Sequence, residues 1–230
     1  MGMTLQELHH YNPTLAKLAT KTELTYDEQI ELKRLLALVE NEEKEKISTF
    51  EKGKRLEDLV KYMFEITEVF SYISNGNTSS NEIDLTLIMN QSGRLLRNFV
   101  IPKCMPERII VECKNYKTEV ETKYANLFAN LVVQSNADMG LFVSTHGLSG
   151  HGKRFWKDGV AAIHKFNLLH RNTDCERIIL DVTLDDIELA INNGKTVYDM
   201  IMQLVVKMEG DVTKEVTYQS HEKSGMIKWE

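Results

Sequence analysis

The spacing of apolar and polar positions changes period several times along the chain, and each change marks an element. Asn12 before Pro13 has the form of a helix start and predicts a short helix to about residue 20. Thr25-Tyr26-Asp27-Glu28 is a capping-box pattern, in which Thr25 and Glu28 satisfy each other's backbone donors. It opens a longer helix through Leu35, Leu36 and Val39 into the charge-rich stretch 40–46. Leu56, Leu59, Val60, Met63 and Phe64 recur at helical spacing, predicting a helix that Gly53 precedes. The period then shortens. Val69, Phe70, Tyr72 and Ile73 predict a strand, and 74–81 is a polar loop rich in Asn, Gly and Ser. A second strand is expected over 83–89, turned by Asn90-Gln91-Ser92-Gly93 into a third over 95–101. The most apolar strand is 109–114. Val120, Tyr124, Leu127, Phe128 and Leu131 mark an amphipathic helix with Gln134 on the same face, and Gly140 to Val143 form a short buried strand. A loop over 145–152 leads into a helix, 160–163 has the composition of a further strand, and helices are expected over 184–191 and 196–208.

Strands alternating with helices in this order predict an α/β fold, a mixed β-sheet flanked by helices. The expected organisation is a helical N-terminal extension over 1–49, packing beside a main domain over 50–230.

Composition narrows the class. A 230-residue chain with 42% hydrophobic and 27% charged residues is ordinary for a globular protein with one good core. No apolar run approaches the roughly 18 residues that span a bilayer, and no basic region followed by an apolar stretch suggests a secretory leader. Cys104, Cys113 and Cys175 are odd in number and lack CxxC spacing, which favours reduced thiols in the cytoplasm over disulfides or a structural zinc site. The net charge of −6 does not advertise a nucleic-acid partner. The stretch 151–171, however, carries Lys153, Arg154, Lys157, Lys165 and Arg171 against one acid, Asp158, and is locally suited to phosphate.

The chemistry concentrates at Ile109-Ile110-Val111-Glu112-Cys113-Lys114. Residues two apart in a strand share a face, so Glu112 and Lys114 lie about 7 Å apart along the chain on one side. Phosphodiester hydrolysis uses such a mixture: a hard cation takes carboxylate oxygens, and a nearby group orients or deprotonates water. A second carboxylate is needed, and Asp84, on the strand leaving the polar loop, is the best placed. Glu-x-Lys also occurs at Glu31, Glu42 and Glu121, where solvated charge pairs on helices explain it. Only Glu112 follows three aliphatic residues, and a carboxylate there needs a reason; a salt bridge on an edge strand is the plain alternative.

The order of Glu57 in a helix, Asn81-Glu82-Ile83-Asp84-Leu85, Val111-Glu112-Cys113-Lys114-Asn115 and Gly140-Leu141-Phe142-Val143-Ser144-Thr145 resembles the PD-(D/E)xK nuclease superfamily. The closest likeness is to Mrr-type restriction endonucleases, from about residue 50 to 189, including Ile178-Ile179-Leu180-Asp181. The resemblance implies that Asp84 and Glu112 ligate Mg2+ (with Mn2+ as a substitute), the Cys113 carbonyl adds a third oxygen, and Lys114 positions or activates water. Glu57 would hold a metal-bound water or a second cation; its alternative is an ordinary pair with Lys61. Ser80 or Asn81 stands where many members have proline, the separation of Asp84 from Glu112 is long, and Glu82 is a fallback ligand. The activity implied is endonucleolytic cleavage of DNA in restriction or phage defence; cutting both strands with one site per chain would need a symmetric homodimer.

Gly147-Leu148-Ser149-Gly150-His151-Gly152-Lys153 nearly spells a phosphate-binding loop, but Arg154 stands where Ser or Thr must hold magnesium. The favoured role is contact with a nucleic-acid backbone through Thr145, Lys153 and Arg154. His146, His151, His164 and His170 share no spacing with a nucleophile and are expected to be exposed or hydrogen-bonded. Phe155 and Trp156 are expected to anchor a helix. Three other functions stay open: a junction- or RNA-cutting nuclease using the same residues, a nucleotide-binding protein using the glycine loop, and a non-catalytic DNA-binding module.

Overall fold

The computed structural model describes residues 7, 10–13, 23–41, 47–77, 82–97, 105–150, 158–171 and 176–209. Residues 14–20 of the expected first helix, and residues 42–46, 78–81, 98–104, 151–157 and 172–175, lie outside them. In chain order the elements are α1 (Tyr26–Glu40), α2 (Thr49–Glu65), β1 (Phe70–Asn77), β2 (Glu82–Met89), α3 (Gln91–Leu96), β3 (Arg108–Lys114), α4 (Thr122–Gln134), β4 (Met139–Ser144), α5 (Gly159–His170), β5 (Ile178–Thr183), α6 (Leu184–Asn192) and α7 (Val197–Glu209). The strands form one sheet in the order β1-β2-β3-β4-β5. β1, β2 and β3 pair antiparallel, whereas β3, β4 and β5 pair parallel through the helical crossovers α4 and α5. The sheet is mixed and flanked by helices, as the sequence predicts.

Two apolar layers enclose it. On one face Leu85, Leu87, Ile109, Val111, Leu141, Val143 and Val182 pack against Leu32 and Leu36 of α1, Leu59 and Met63 of α2, Ile187 of α6 and Ile201 of α7. On the other, Ile110, Phe142 and Ile179 meet Phe128 and Val132 of α4 and Ile163 of α5. β4 is buried along its whole length, as a central parallel strand covered on both faces must be. α1 begins with the expected capping box at Thr25 and Glu28. It is fastened to the α6–α7 turn by Leu24 N–H to the Gly194 carbonyl at 2.9 Å and Gln29 Nε2 to the Ile191 carbonyl at 2.6 Å.

Five expectations of local structure fail. Gly53 does not precede its helix: Ser48 caps it by accepting the Glu51 N–H, so Gly53 lies inside α2. The polar segment after Ile73 continues as strand through Asn77, because β2 offers it a ladder. Asn90-Gln91-Ser92-Gly93 starts helix α3 rather than a hairpin into a third strand. The Asn90 side chain accepts the Gly93 N–H at 3.0 Å, and a β-carbon on Gly93 would lie 2.7 Å from the Val69 carbonyl oxygen. The apolar run 160–163 is part of α5, whose start is set by Asp158 accepting the Ala161 N–H at 3.0 Å. In α4 the buried face is Ala125, Phe128, Leu131 and Val132; Leu127 and Gln134 are exposed, and Val120 precedes the helix and bridges to Leu148. Among the described residues no helix is long and apolar enough to cross a membrane.

Candidate active site

β3 is the strand where the sheet changes from antiparallel to parallel, and its C-terminal end carries Glu112 and Lys114. Ile109, Ile110 and Val111 bury the strand, so these two charged groups emerge only at its last residues. Their side chains form an ion pair with each other and are 15% and 20% exposed. Asp84 enters from the neighbouring strand, just beyond the ladder pair Leu85–Val111. Its Oδ2 accepts the Cys113 N–H at 2.7 Å. The Cys113 side chain turns into the core and is buried, so the backbone is what this residue offers the site. Burial, then the charges of Asp84, Glu57 and Glu112, push the thiol pKa well up.

Glu57 of α2 belongs to the same electrostatic neighbourhood. Its carboxyl is held above the usual range, first by burial and then by the charges of Asp84 and Asp58, with Lys54 and Lys114 opposing. The ordinary alternative partner, Lys61, is directed elsewhere: it lies 3.7 Å from Glu65 and 4.3 Å above the Tyr72 ring. For Lys114, burial disfavours the ammonium, but Glu112 and Asp84 outweigh it and hold the pKa above the ordinary lysine range. Lys114 is therefore a cation at neutral pH.

Backbone ties fix these elements to one another. Asn115 Nδ2 donates to the Lys52 carbonyl at 3.0 Å, joining the end of β3 to the first turns of α2. Thr145 donates its N–H to the Lys114 carbonyl at 3.3 Å and its hydroxyl to the Tyr116 carbonyl at 2.8 Å. Thr145 is thus adjacent to the site, with its hydroxyl proton spent on the loop after β3. Asp181 is aligned with Glu112 through Phe142. It accepts the Leu148 N–H at 3.4 Å and links β5 to the loop after β4. Gly147 and Gly150 both adopt positive φ, and a β-carbon on Gly150 would collide with the Asp158 carboxylate.

The structure brings Asp84, Glu112, Lys114 and Glu57 together, with the Cys113 backbone between them. Lys153, Arg154, His151, Phe155 and Trp156 lie outside the described residues, and so does the Glu82 side chain. His146 and His164 are exposed, and His170 stacks on Phe166 and is 3.0 Å from its carbonyl. Among the described residues no three His, Cys, Asp or Glu side chains converge as a ready-made metal cage. The available donors are carboxylates and a peptide carbonyl, hard oxygens of the kind Mg2+ accepts. The charge of Asp84 raises the cost of ionising Glu57, which a divalent cation would relieve.

The sequence does not single out Tyr116, which lies within the electrostatic reach of Lys114 and Glu112 and whose ring meets that of Tyr124 edge to face. The available signal was that Tyr116 continues the two-residue spacing of Glu112 and Lys114.

The model of the Mrr_cat restriction endonuclease family matches residues 50–173, just over half of the chain. The chain belongs to this restriction endonuclease family. It is accordingly a restriction-endonuclease-like nuclease, and the match includes Glu57, Asp84, Glu112 and Lys114. No curated protein and no solved structure matches the chain.

Proposed function

We propose that this nuclease is an endonuclease that hydrolyses DNA phosphodiester bonds with a divalent cation, Mg2+ or in its place Mn2+. One observation supports this above the others: three carboxylates from α2, β2 and β3 share their field with one protonated lysine, and Asp84 is fastened to the strand that bears it. Asp84, Glu112 and the Cys113 carbonyl would hold the cation, and Glu57 would hold a second cation or a bound water. The cation supplies Lewis-acid polarisation of the phosphate and a lowered pKa for the attacking water.

The chain's own residues carry the remaining tasks. The water oxygen bonds to phosphorus as the ester bond to the leaving sugar oxygen breaks, the water giving up a proton to solvent and the leaving oxygen taking one from it. In that step negative charge grows on the non-bridging oxygens. Lys114, kept protonated by Glu112 and Asp84, donates hydrogen bonds to that charge and orients the water, acting as an electrostatic group rather than a base. Its ion pair with Glu112 sets the ammonium beside a carboxylate side chain that is only 15% exposed. One such centre cuts one strand, so cleavage of both strands calls for a symmetric homodimer. Thr145, Lys153 and Arg154 would contact the DNA backbone. The family's association with restriction extends the proposal to a cytoplasmic role in DNA restriction or phage defence.

The test is cleavage of supercoiled plasmid with Mg2+ or Mn2+ by the native protein, Asp84→Ala and Lys114→Ala. Nicking or linearisation by the native protein alone upholds the proposal. Equal inertness of all three on linear, branched and single-stranded DNA defeats it.

A further inference from the structure

Ser144 ends β4 and is fully buried, yet its hydroxyl oxygen has no hydrogen-bond partner among the described residues. A hydroxyl in that condition is costly to bury, and its neighbours narrow down which group would satisfy it. Ser144 stands in register between Lys114 of β3 and Thr183 of β5. Residues paired this way carry their side chains on one face, with the strands about 4.8 Å apart. Phe142, two residues earlier on β4, packs in the layer under α4 and α5, so Ser144 and Lys114 share that face. The pairing is continued past the strand end by the Thr145 N–H, which donates to the Lys114 carbonyl at 3.3 Å. Of the two flanking side chains Thr183 is engaged: its hydroxyl donates to Asp186 Oδ2 at 2.6 Å and accepts the Asp186 N–H at 3.2 Å. Lys114 is the other, and its ammonium carries three N–H donors.

We infer that Ser144 is the positioning residue for Lys114, its hydroxyl oxygen accepting a hydrogen bond from the ammonium when a divalent cation draws the Glu112 carboxylate to itself. This rests on the nuclease reading above. Glu112 has two calls on it, since it pairs with Lys114 and is also a candidate ligand for the cation. A lysine that loses its carboxylate to the cation keeps its charge in a site where its side chain is only 20% exposed, and needs another acceptor. The Ser144 hydroxyl lies on the same face and takes one N–H, which leaves two for the attacking water and a phosphate oxygen. Lys114 thus keeps its direction as its partner changes. A neutral hydroxyl suits the task better than a second carboxylate, because it holds the ammonium without cancelling the charge that the phosphate requires.

Three variants separate hydrogen bonding from packing. Ser144→Ala removes the hydroxyl, Ser144→Cys replaces it with a group of similar size that accepts weakly, and Ser144→Thr retains it. Ala and Cys should each lower kcat for plasmid cleavage about tenfold, the worth of one hydrogen bond to a charged group, with KM within about twofold of native. Thr should stay closer to native than either. In EDTA neither Ala nor Cys should lower the unfolding midpoint, because the hydroxyl that they remove has no partner there. A lowered midpoint in both would mean that Ser144 holds a buried water and serves the fold, and the proposal is then wrong.

A second arm works without turnover. Lysine labelled with 13C at Cε gives a Lys114 signal, identified by its loss in Lys114→Met. In EDTA the native protein and Ser144→Ala should show that signal at the same position, and with Mg2+ the two positions should part. Coincident signals in both conditions, or a native signal that does not respond to Mg2+, overturn the assignment. Cleavage by the native protein with unchanged constants in Ser144→Ala sinks the serine role alone. Absence of cleavage, with a Lys114 signal that depends on Ser144 in Mg2+, sinks only the catalytic reading.

Discussion

Asp84 Oδ2 and the Cys113 backbone N–H are 2.7 Å apart, so an acidic side chain on β2 occupies a backbone donor of β3 just past the Leu85–Val111 pair. One carboxylate oxygen thereby maintains the fold. Asp84→Asn keeps an acceptor for Cys113 and removes the charge. It should lower stability by no more than about 1 kcal/mol and still abolish cleavage; Asp84→Ala should lose activity and cost about 2 kcal/mol. Denaturant midpoints beside plasmid cleavage separate the two roles.

Lys114 and Glu112 are mutual partners in a site largely closed to solvent. Lys114→Met takes the ammonium away from Glu112 and should cost about 2 kcal/mol. The double variant with Glu112→Gln should recover most of that loss while remaining inactive. If the single and double variants are equally destabilised, the pair contributes nothing through its charge.

Glu57 gives the protein a pH signature. Burial and the charge of Asp84 raise its folded-state pKa above the unfolded value, so the folded state binds this proton more tightly. As pH climbs from the unfolded value through the folded one, the folded state loses stability relative to the unfolded chain. Without divalent ions, Glu57→Gln should therefore raise the unfolding midpoint at about pH 8 and leave it unchanged at about pH 3, below both pKa values. Added Mg2+ should raise the midpoint of the native protein more than that of the variant. A scan of Tm against pH, with and without Mg2+, reads both effects.

At Gly140, side chains of α4 lie close against the sheet backbone. A β-carbon there would lie 2.6 Å from Val132 Cγ2 and 2.8 Å from Phe128 Cε1. Gly140→Ala should push the helix outward and destabilise by roughly 1–3 kcal/mol, seen as a lower midpoint with an unchanged denaturant slope. Gly53→Ala, inside α2 with nothing within 4 Å of an added β-carbon, should instead stabilise by about 0.5–1 kcal/mol.

The contrast between those glycines illustrates how far the sequence alone carries. Strands β2, β3 and β4 were legible because short aliphatic runs bounded by polar residues suit a buried strand better than any other element. Glu112 and Lys114 stood out because charge so rarely follows three buried aliphatics. Local signals with two meanings misled. Asn-Gln-Ser-Gly suits a hairpin turn as well as a helix cap, and the neighbouring Val69 carbonyl decides for the cap. The four-residue run from Val160 fits a strand or a helix, and only Asp158 fixes which. The assignment of Gln134 to the apolar face of α4 failed because that face was phased on Leu127, which is exposed. Contacts between distant residues, such as Asn115 with Lys52 or Tyr116 with Tyr124, leave no periodicity to detect.

The apolar layer beneath the site includes Ile187, Ile191, Val197, Ile201 and Leu204, from helices that follow Lys114 late in the chain. During synthesis, Glu57, Asp84, Glu112 and Lys114 all leave the ribosome before α6 and α7 exist to close that layer. A nascent or truncated chain ending near β4 thus holds every candidate catalytic side chain without the packing that aligns them. Until α6 and α7 are made, the apolar layer that supports those side chains is incomplete.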